Sequence, residues 1–118
     1  MSNLQVSARM KIQEGMLERF KQHANECVQR VKEKDTRTIQ FDWFLTSDNT
    51  ECEIRETYEN SDAFLAHLSN LADLLQILYE KFASDHSVAI YGDPSPELLE
   101  KIKARGVDTK FFSLLQGL

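Results

Sequence analysis

His67 is the side chain best suited to moving a proton, because it stands between Phe64 and Leu71 on an apolar stripe of a predicted helix. A buried neutral imidazole can accept or release a proton, or hydrogen-bond a ligand, near neutral pH. The same placement suits a core histidine held by a backbone carbonyl or by a neighbouring Tyr or Glu, since buried polar groups are normally paired. Glu56 alternates with Cys52, Ile54 and Tyr58, so strand parity puts its carboxylate on their face. An inward carboxylate is paired or has a raised pKa, and Arg9, His67 and Tyr58 are its plausible partners. Paired with Arg9 it is structural; beside His67 it makes the polar spot in an apolar cleft that a small-molecule pocket requires. Trp43 and Tyr58 fall on adjacent predicted strands, where the indole N–H and phenol hydroxyl can reach a ligand oxygen from a cavity wall, although aromatics at this spacing also build ordinary cores. Phe64 and Leu71 would supply apolar lining on either side of His67.

Other chemistries find less support. His23 stands beside Gln22 and Asn25, and His86 follows Asp85, so both read as solvated. The three histidines lack HxxxH-type spacing, and Cys27 and Cys52 form neither a CxxC pair nor a cluster. No metal site is predicted, and the cysteines read as buried free thiols. The chain contains no GxSxG, phosphate-binding loop or GxGxxG, so elbow-serine acyl transfer, nucleotide hydrolysis and dinucleotide binding have no motif behind them.

The elements that must position these residues follow from hydrophobic period. Residues Leu4 to Ile12 alternate, which predicts a strand with Leu4, Val6, Ala8, Met10 and Ile12 on the buried face. After Gly15 the period becomes helical, with Leu17, Phe20, Ala24, Cys27 or Val28, and Val31 on one stripe to about Lys34. Thr38 to Leu45 is a second strand with Ile39, Phe41, Trp43 and Leu45 on one face. A polar hairpin loop leads to a third strand, Cys52 to Tyr58, paired antiparallel with the second. Asn60 or Ser61 caps the helix that carries Phe64, His67, Leu68, Leu71, Leu75, Leu78 and Phe82, with a kink expected at Ser69-Asn70. A fourth strand spans His86 to Gly92. Ser95, Pro96 and Glu97 start a short helix that Gly106 stops, and Val107 to Leu115 is a fifth strand.

Strand-helix-strand-strand-helix-strand is the α+β, ferredoxin-like split βαβ order, here with an extra C-terminal helix and strand. Such a sheet carries helices on one face. Phe44 lies opposite Trp43, so the other face also has apolar residues to cover, and a second copy of the chain in a homodimer is the simplest cover. At 118 residues, residues 1–118 are expected to form a single domain large enough to fold without a disulfide or metal staple. With 14 Lys and Arg against 19 Asp and Glu, the net charge of -5 argues against nucleic acid as a partner. No apolar run is long enough to span a membrane, and the opening Met1-Ser2-Asn3-Leu4-Gln5 lacks the basic and apolar regions of a signal peptide. The expectation is a cytoplasmic protein with no membrane partner.

The run Glu56-Thr57-Tyr58-Glu59-Asn60-Ser61-Asp62-Ala63-Phe64-Leu65-Ala66-His67 resembles the central motif of the antibiotic biosynthesis monooxygenase family. That motif has an acidic residue and an aromatic ending the third strand, a polar cap, and an Ala-containing helix start closing with His. Ala8 to Ile12 with Glu14-Gly15, and Ile39 to Asp42, are similar to the family's first strand, helix entry and second strand. The resemblance implies a dimeric α/β barrel of ferredoxin-like subunits. It further implies a cofactor-independent monooxygenase acting on a small quinol, polyphenol or enolisable substrate that supplies its own electrons to oxygen. In that reading His67, Tyr58 and Glu56 are catalytic, with Trp43, Phe64 and Leu71 binding substrate. Haem-degrading relatives would carry an iron-ligating His further along the helix, and none stands between His67 and His86. The alternative is a non-catalytic dimeric module that binds a small molecule or serves in a stress response on the same fold.

Overall fold

A computed structural model describes residues 3–118; Met1 and Ser2 lie outside the described residues. Five strands form one sheet in the order β2-β3-β1-β4-β5. They are β1 (Leu4–Ile12), β2 (Thr38–Leu45), β3 (Glu51–Tyr58), β4 (Ala83–Tyr91) and β5 (Asp108–Phe112). All neighbours are antiparallel except β4 and β5, which the crossover through the last helix makes parallel. The α+β order predicted from the sequence, including the C-terminal helix and strand, is the order observed.

The register puts Ala8 beside Ile54 and Val88, and Val6 beside Glu56 and Ile90, so the alternating residues of three central strands share one face. Every helix packs on that face. Helix α1 (Leu17–Lys34) buries Phe20, His23, Cys27 and Val31. Helix α4 (Pro96–Arg105) buries Leu98 and Ile102 against Leu4, Val6 and Phe64. Its ends follow from the sequence: the Ser95 hydroxyl accepts from Leu98 N–H at 3.2 Å, Pro96 occupies the first turn, and Gly106 closes it at φ 68°. The opposite face carries Gln5, Ser7 and Arg9 flanked by Glu53, Arg55 and Thr57, with Phe44 at one corner and a stacked Tyr91–Phe112 pair at another.

Three expectations need correction. The long second helix is broken into α2 (Ser61–Asn70) and α3 (Ala72–Ile77), and the stretch Leu78–Phe82 is a wider π-helical turn. The break falls at the predicted Ser69-Asn70 kink because Arg30 donates to the Asn70 carbonyl at 2.9 Å and the Asn70 side chain donates to Asp35 at 2.8 Å. The Asn70 carbonyl is thereby drawn out of the helical ladder, and its side chain is anchored to the end of α1. Ile39 does not share the inner face with Phe41 and Trp43: the β2–β3 register shifts between Thr38 and Gln40, leaving Ile39 57% exposed. His23 is not solvated; it is buried and its Nε2 lies 2.7 Å from the Leu74 carbonyl, tying α1 to α3.

Candidate active site

The site grows from the end of β3. Strand parity brings Glu56 and Tyr58 to the helix-covered face, where they are 6% and 0% exposed, and the Tyr58 hydroxyl donates to Glu56 Oε1. Asn60 then caps α2 by accepting from Ala63 N–H at 2.9 Å, which starts the helix two residues after the strand. Two turns on, that helix carries Phe64 and His67 back over the carboxylate. His67 Nε2 lies 3.9 Å from Glu56 Oε1, longer than a hydrogen bond. Tyr58, Phe64 and Phe41 enclose the imidazole, with ring centroids 5.1, 6.2 and 4.9 Å away.

The other imidazole nitrogen is held by a residue that sequence reading did not single out. Asp35 is the first residue beyond α1, and its backbone N–H donates to the Val31 carbonyl. Its Oδ2 accepts from the Thr38 hydroxyl at 2.6 Å and from His67 Nδ1 at 2.8 Å, while Oδ1 accepts from Asn70 Nδ2 at 2.8 Å. Burial works against its charge, but these three donors outweigh it and lower the Asp35 pKa, so the group stays ionised. An ionised acceptor fixes the proton on His67 Nδ1 and leaves Nε2 facing Glu56. Glu56 behaves in the opposite way. Burial raises its pKa despite the opposing influence of His67, Tyr58 and Arg105. Burial, then the adjacent Glu56, raises Tyr58 well above the ordinary phenol, so it remains a proton-bearing donor.

Glu56, His67 and Phe64 line a small inner chamber of about 30 Å³ with Val6, Ala8 and Phe41. Leu68, Leu75, Tyr79, His86 and Arg105 line this chamber and also an outer cavity of about 390 Å³. The two spaces therefore adjoin at these five shared residues, and together they are termed the funnel. The inner end holds one or two water-sized groups, and the outer part has the volume of a small-molecule pocket. Tyr79 comes from the π-helical turn and stacks on His86 with centroids 3.7 Å apart. His86 is half-buried here, not solvated as its sequence position suggested, and burial followed by Arg105 lowers its pKa to about 4. It is a neutral imidazole at physiological pH.

Of the six residues singled out from sequence, Glu56, His67 and Phe64 line the chamber, and Tyr58 stands behind Glu56 as its donor. Trp43 and Leu71 do not line it. Trp43 packs edge-on against Phe20 and Phe41, and its Nε1 is the one buried side-chain polar atom without a partner among the described residues. Leu71 is fully buried with Cys27, Val31 and Leu74. Among the described residues no group of three His, Cys, Asp or Glu side chains is disposed to hold a metal.

The description "Antibiotic biosynthesis monooxygenase" belongs to a family that matches residues 4–74, more than half of the chain. The chain belongs to this family. The family match runs through β1 to α3 and so includes Asp35, Glu56 and His67, whereas Tyr79, His86 and Arg105 lie beyond it. No curated protein matches the chain in sequence. Solved structures do match in fold. MupZ from Pseudomonas fluorescens superposes with a TM-score of 0.81 at 21% identity, covering 100% of this chain and 94% of its own. A candidate antibiotic biosynthesis monooxygenase from Nitrosomonas europaea gives 0.67 at 17% identity, covering 80% and 92%. Rv0793 from Mycobacterium tuberculosis gives 0.68 at 14% identity, covering 80% and 97%. The antibiotic biosynthesis monooxygenase fold is thus shared across these proteins. No helix of this family member, among the described residues, is long and apolar enough to cross a membrane.

Proposed function

We propose that this antibiotic biosynthesis monooxygenase family member is a cofactor-independent monooxygenase that deprotonates a small phenolic or enolisable substrate at His67. The observation that carries the reading is the funnel whose inner end is lined by both His67 and Glu56. A substrate hydroxyl of water-like size fits the inner chamber while an aromatic body occupies the outer cavity. Asp35 holds His67 Nδ1, so Nε2 is the nitrogen that accepts the proton, and the resulting imidazolium is stabilised by the ionised Asp35. Glu56, its pKa raised by burial and its Oε1 held by Tyr58, positions the hydroxyl as a hydrogen-bond partner. The electron-rich anion then gives two electrons to dioxygen, forming a carbon-bound hydroperoxide with the proton returned from His67. Loss of water from that hydroperoxide takes a second electron pair from the C–H bond of the same carbon. One oxygen atom enters the product, and the other leaves as water with the two hydrogens lost by the substrate. Apolar walls from Phe41, Phe64, Leu68 and Leu75 exclude bulk water from the anion.

The test is oxygen uptake by metal-free protein against a panel of quinols and polyphenols, with autoxidation subtracted and His67→Ala in parallel. Protein-dependent uptake that falls by about a hundredfold in the variant is the expected result for loss of a positioned base. Uptake indifferent to His67 would refute it. The small inner chamber also favours a second reading, a module that binds such a ligand without turning it over. Saturable binding of the same compounds with no uptake would select it. The same proposal includes a homodimer formed through the helix-free sheet face, where exposed Phe44, Tyr91 and Phe112 surround a polar centre. Sedimentation at micromolar concentration should give twice the 13.6 kDa chain mass.

A further inference from the structure

One cation reaches both compartments of the funnel. Arg105, the last residue of α4, lines both the inner chamber and the outer cavity. Among the described residues it takes part in no ion pair and no side-chain hydrogen bond. None of the described acidic groups around it forms an ion pair with it. Glu80 at the outer rim accepts from Gln76 at 3.0 Å, and Asp35 is saturated by three donors and lies outside the lining. Glu56, whose pKa burial raises, already accepts from the Tyr58 hydroxyl, and the neighbouring His86 and Tyr79 carry no charge at physiological pH. A half-buried guanidinium with five donors and no ion-pair partner in the described residues, set among apolar walls, favours occupancy by an anion.

We infer that Arg105 is the anion-holding residue of the funnel, and that the ligand is bound as a single negatively charged oxygen, a phenolate or enolate, at the junction of the two compartments. The inference rests on the reading of this funnel as a phenol or enol site. Size decides between a phenolate and a bulkier anionic group, because the inner chamber of about 30 Å³ holds no more than one or two water-sized groups beside Glu56 and His67. Arg105 lines that same chamber, so the charge created by proton removal appears where the guanidinium can meet it. Lys101 lines only the outer cavity and contributes to attraction of the anion from solvent. Arg105 lies beyond the segment that matches the family, so this device belongs to the C-terminal helix and strand of this chain.

The probe is 4-nitrophenol, whose ionised form is read by its visible absorbance whether or not any turnover occurs. Bound to the wild-type protein it should ionise at lower pH than in free solution, by about one pH unit, equivalent to a tenfold preference for phenolate over phenol. Arg105→Gln should abolish that downward shift, and Arg105→Lys should restore part of it. Because Arg105 is half-exposed at a helix end, unchanged melting of both variants checks that the fold is retained. A bound probe that ionises as in free solution, a shift that survives in Arg105→Gln, or no binding of the probe by wild-type protein would each overturn the inference. A retained, Arg105-dependent shift together with absent quinol oxidation would uphold the anion site and refute the monooxygenase reading, so the two failures are distinguishable.

Discussion

Replacing Asp35 with Ala removes the shared acceptor of three hydrogen bonds, from Thr38, His67 and Asn70, at 2.6, 2.8 and 2.8 Å. Each bond to a charged acceptor is worth about 1.5–3 kcal/mol when its donor has no substitute. Thr38 and Asn70 are half-buried and can recover part of theirs from water, but the His67 side chain is only 2% exposed and cannot. The expected loss is therefore about 3–5 kcal/mol at neutral pH, the range for breaking a buried pair by removing one partner. The assay is urea denaturation of wild type, Asp35→Ala, His67→Ala and the double variant, with a coupling energy of about 1.5–3 kcal/mol between the two sites. The effect should also depend on pH with a definite sign. The folded pKa of Asp35 is lowered, so its contribution is complete above the unfolded carboxyl value of about 4 and is lost as pH falls through the folded value. Asp35→Ala should lack that acid limb. A loss below about 1 kcal/mol, or additive single effects, would refute the argument that Asp35 holds His67 in place.

Glu56 predicts the opposite limb: its folded pKa is raised, so wild-type stability should decline as pH rises through the interval above the ordinary carboxyl value, and Glu56→Gln should flatten that decline in chemical denaturation curves. Burial raises the thiols of Cys27 and Cys52 to about 12, so a disulfide reagent at pH 8 should label neither in native protein and both in urea. Gly106→Ala should cost about 1–2 kcal/mol by thermal denaturation, because a side chain there meets no atom within 4 Å and the whole effect comes from holding φ at +68°.

The first and third strands and their faces were legible because each alternates with period two against a single covered face. Leu4, Val6, Ala8 and Met10, like Cys52, Ile54, Glu56 and Tyr58, are buried as parity demanded. The caps were legible for a local reason, as Asn60, Ser95 and Gly106 act within three residues of themselves. His67 and Glu56 stood out because each is a polar residue on an otherwise apolar face. Asp35 did not, since it sits among Lys34, Thr36 and Arg37 in a polar connection, and only the packing of α2 on α1 brings His67 to it. Tyr79 was hidden by the π-helical turn, which departs from the helical period used to read that segment. Arg105 was not singled out, since it is a basic residue in the last turn of α4 and its role depends on that helix crossing to the funnel. Trp43 drew notice as a large aromatic beside β3, but the β2 register directs it into the contact with Phe20.

The central claim is that His67 Nε2, held by Asp35 and facing Glu56, is the base that takes the substrate proton. Chemical rescue tests it most directly: His67→Gly leaves a hole beside Asp35, and added imidazole can fill it. With a quinol that wild-type protein oxidises, the variant should lose about a hundredfold in oxygen uptake, and imidazole should restore uptake in a saturable, concentration-dependent manner. Wild-type uptake by His67→Gly without imidazole would contradict the account.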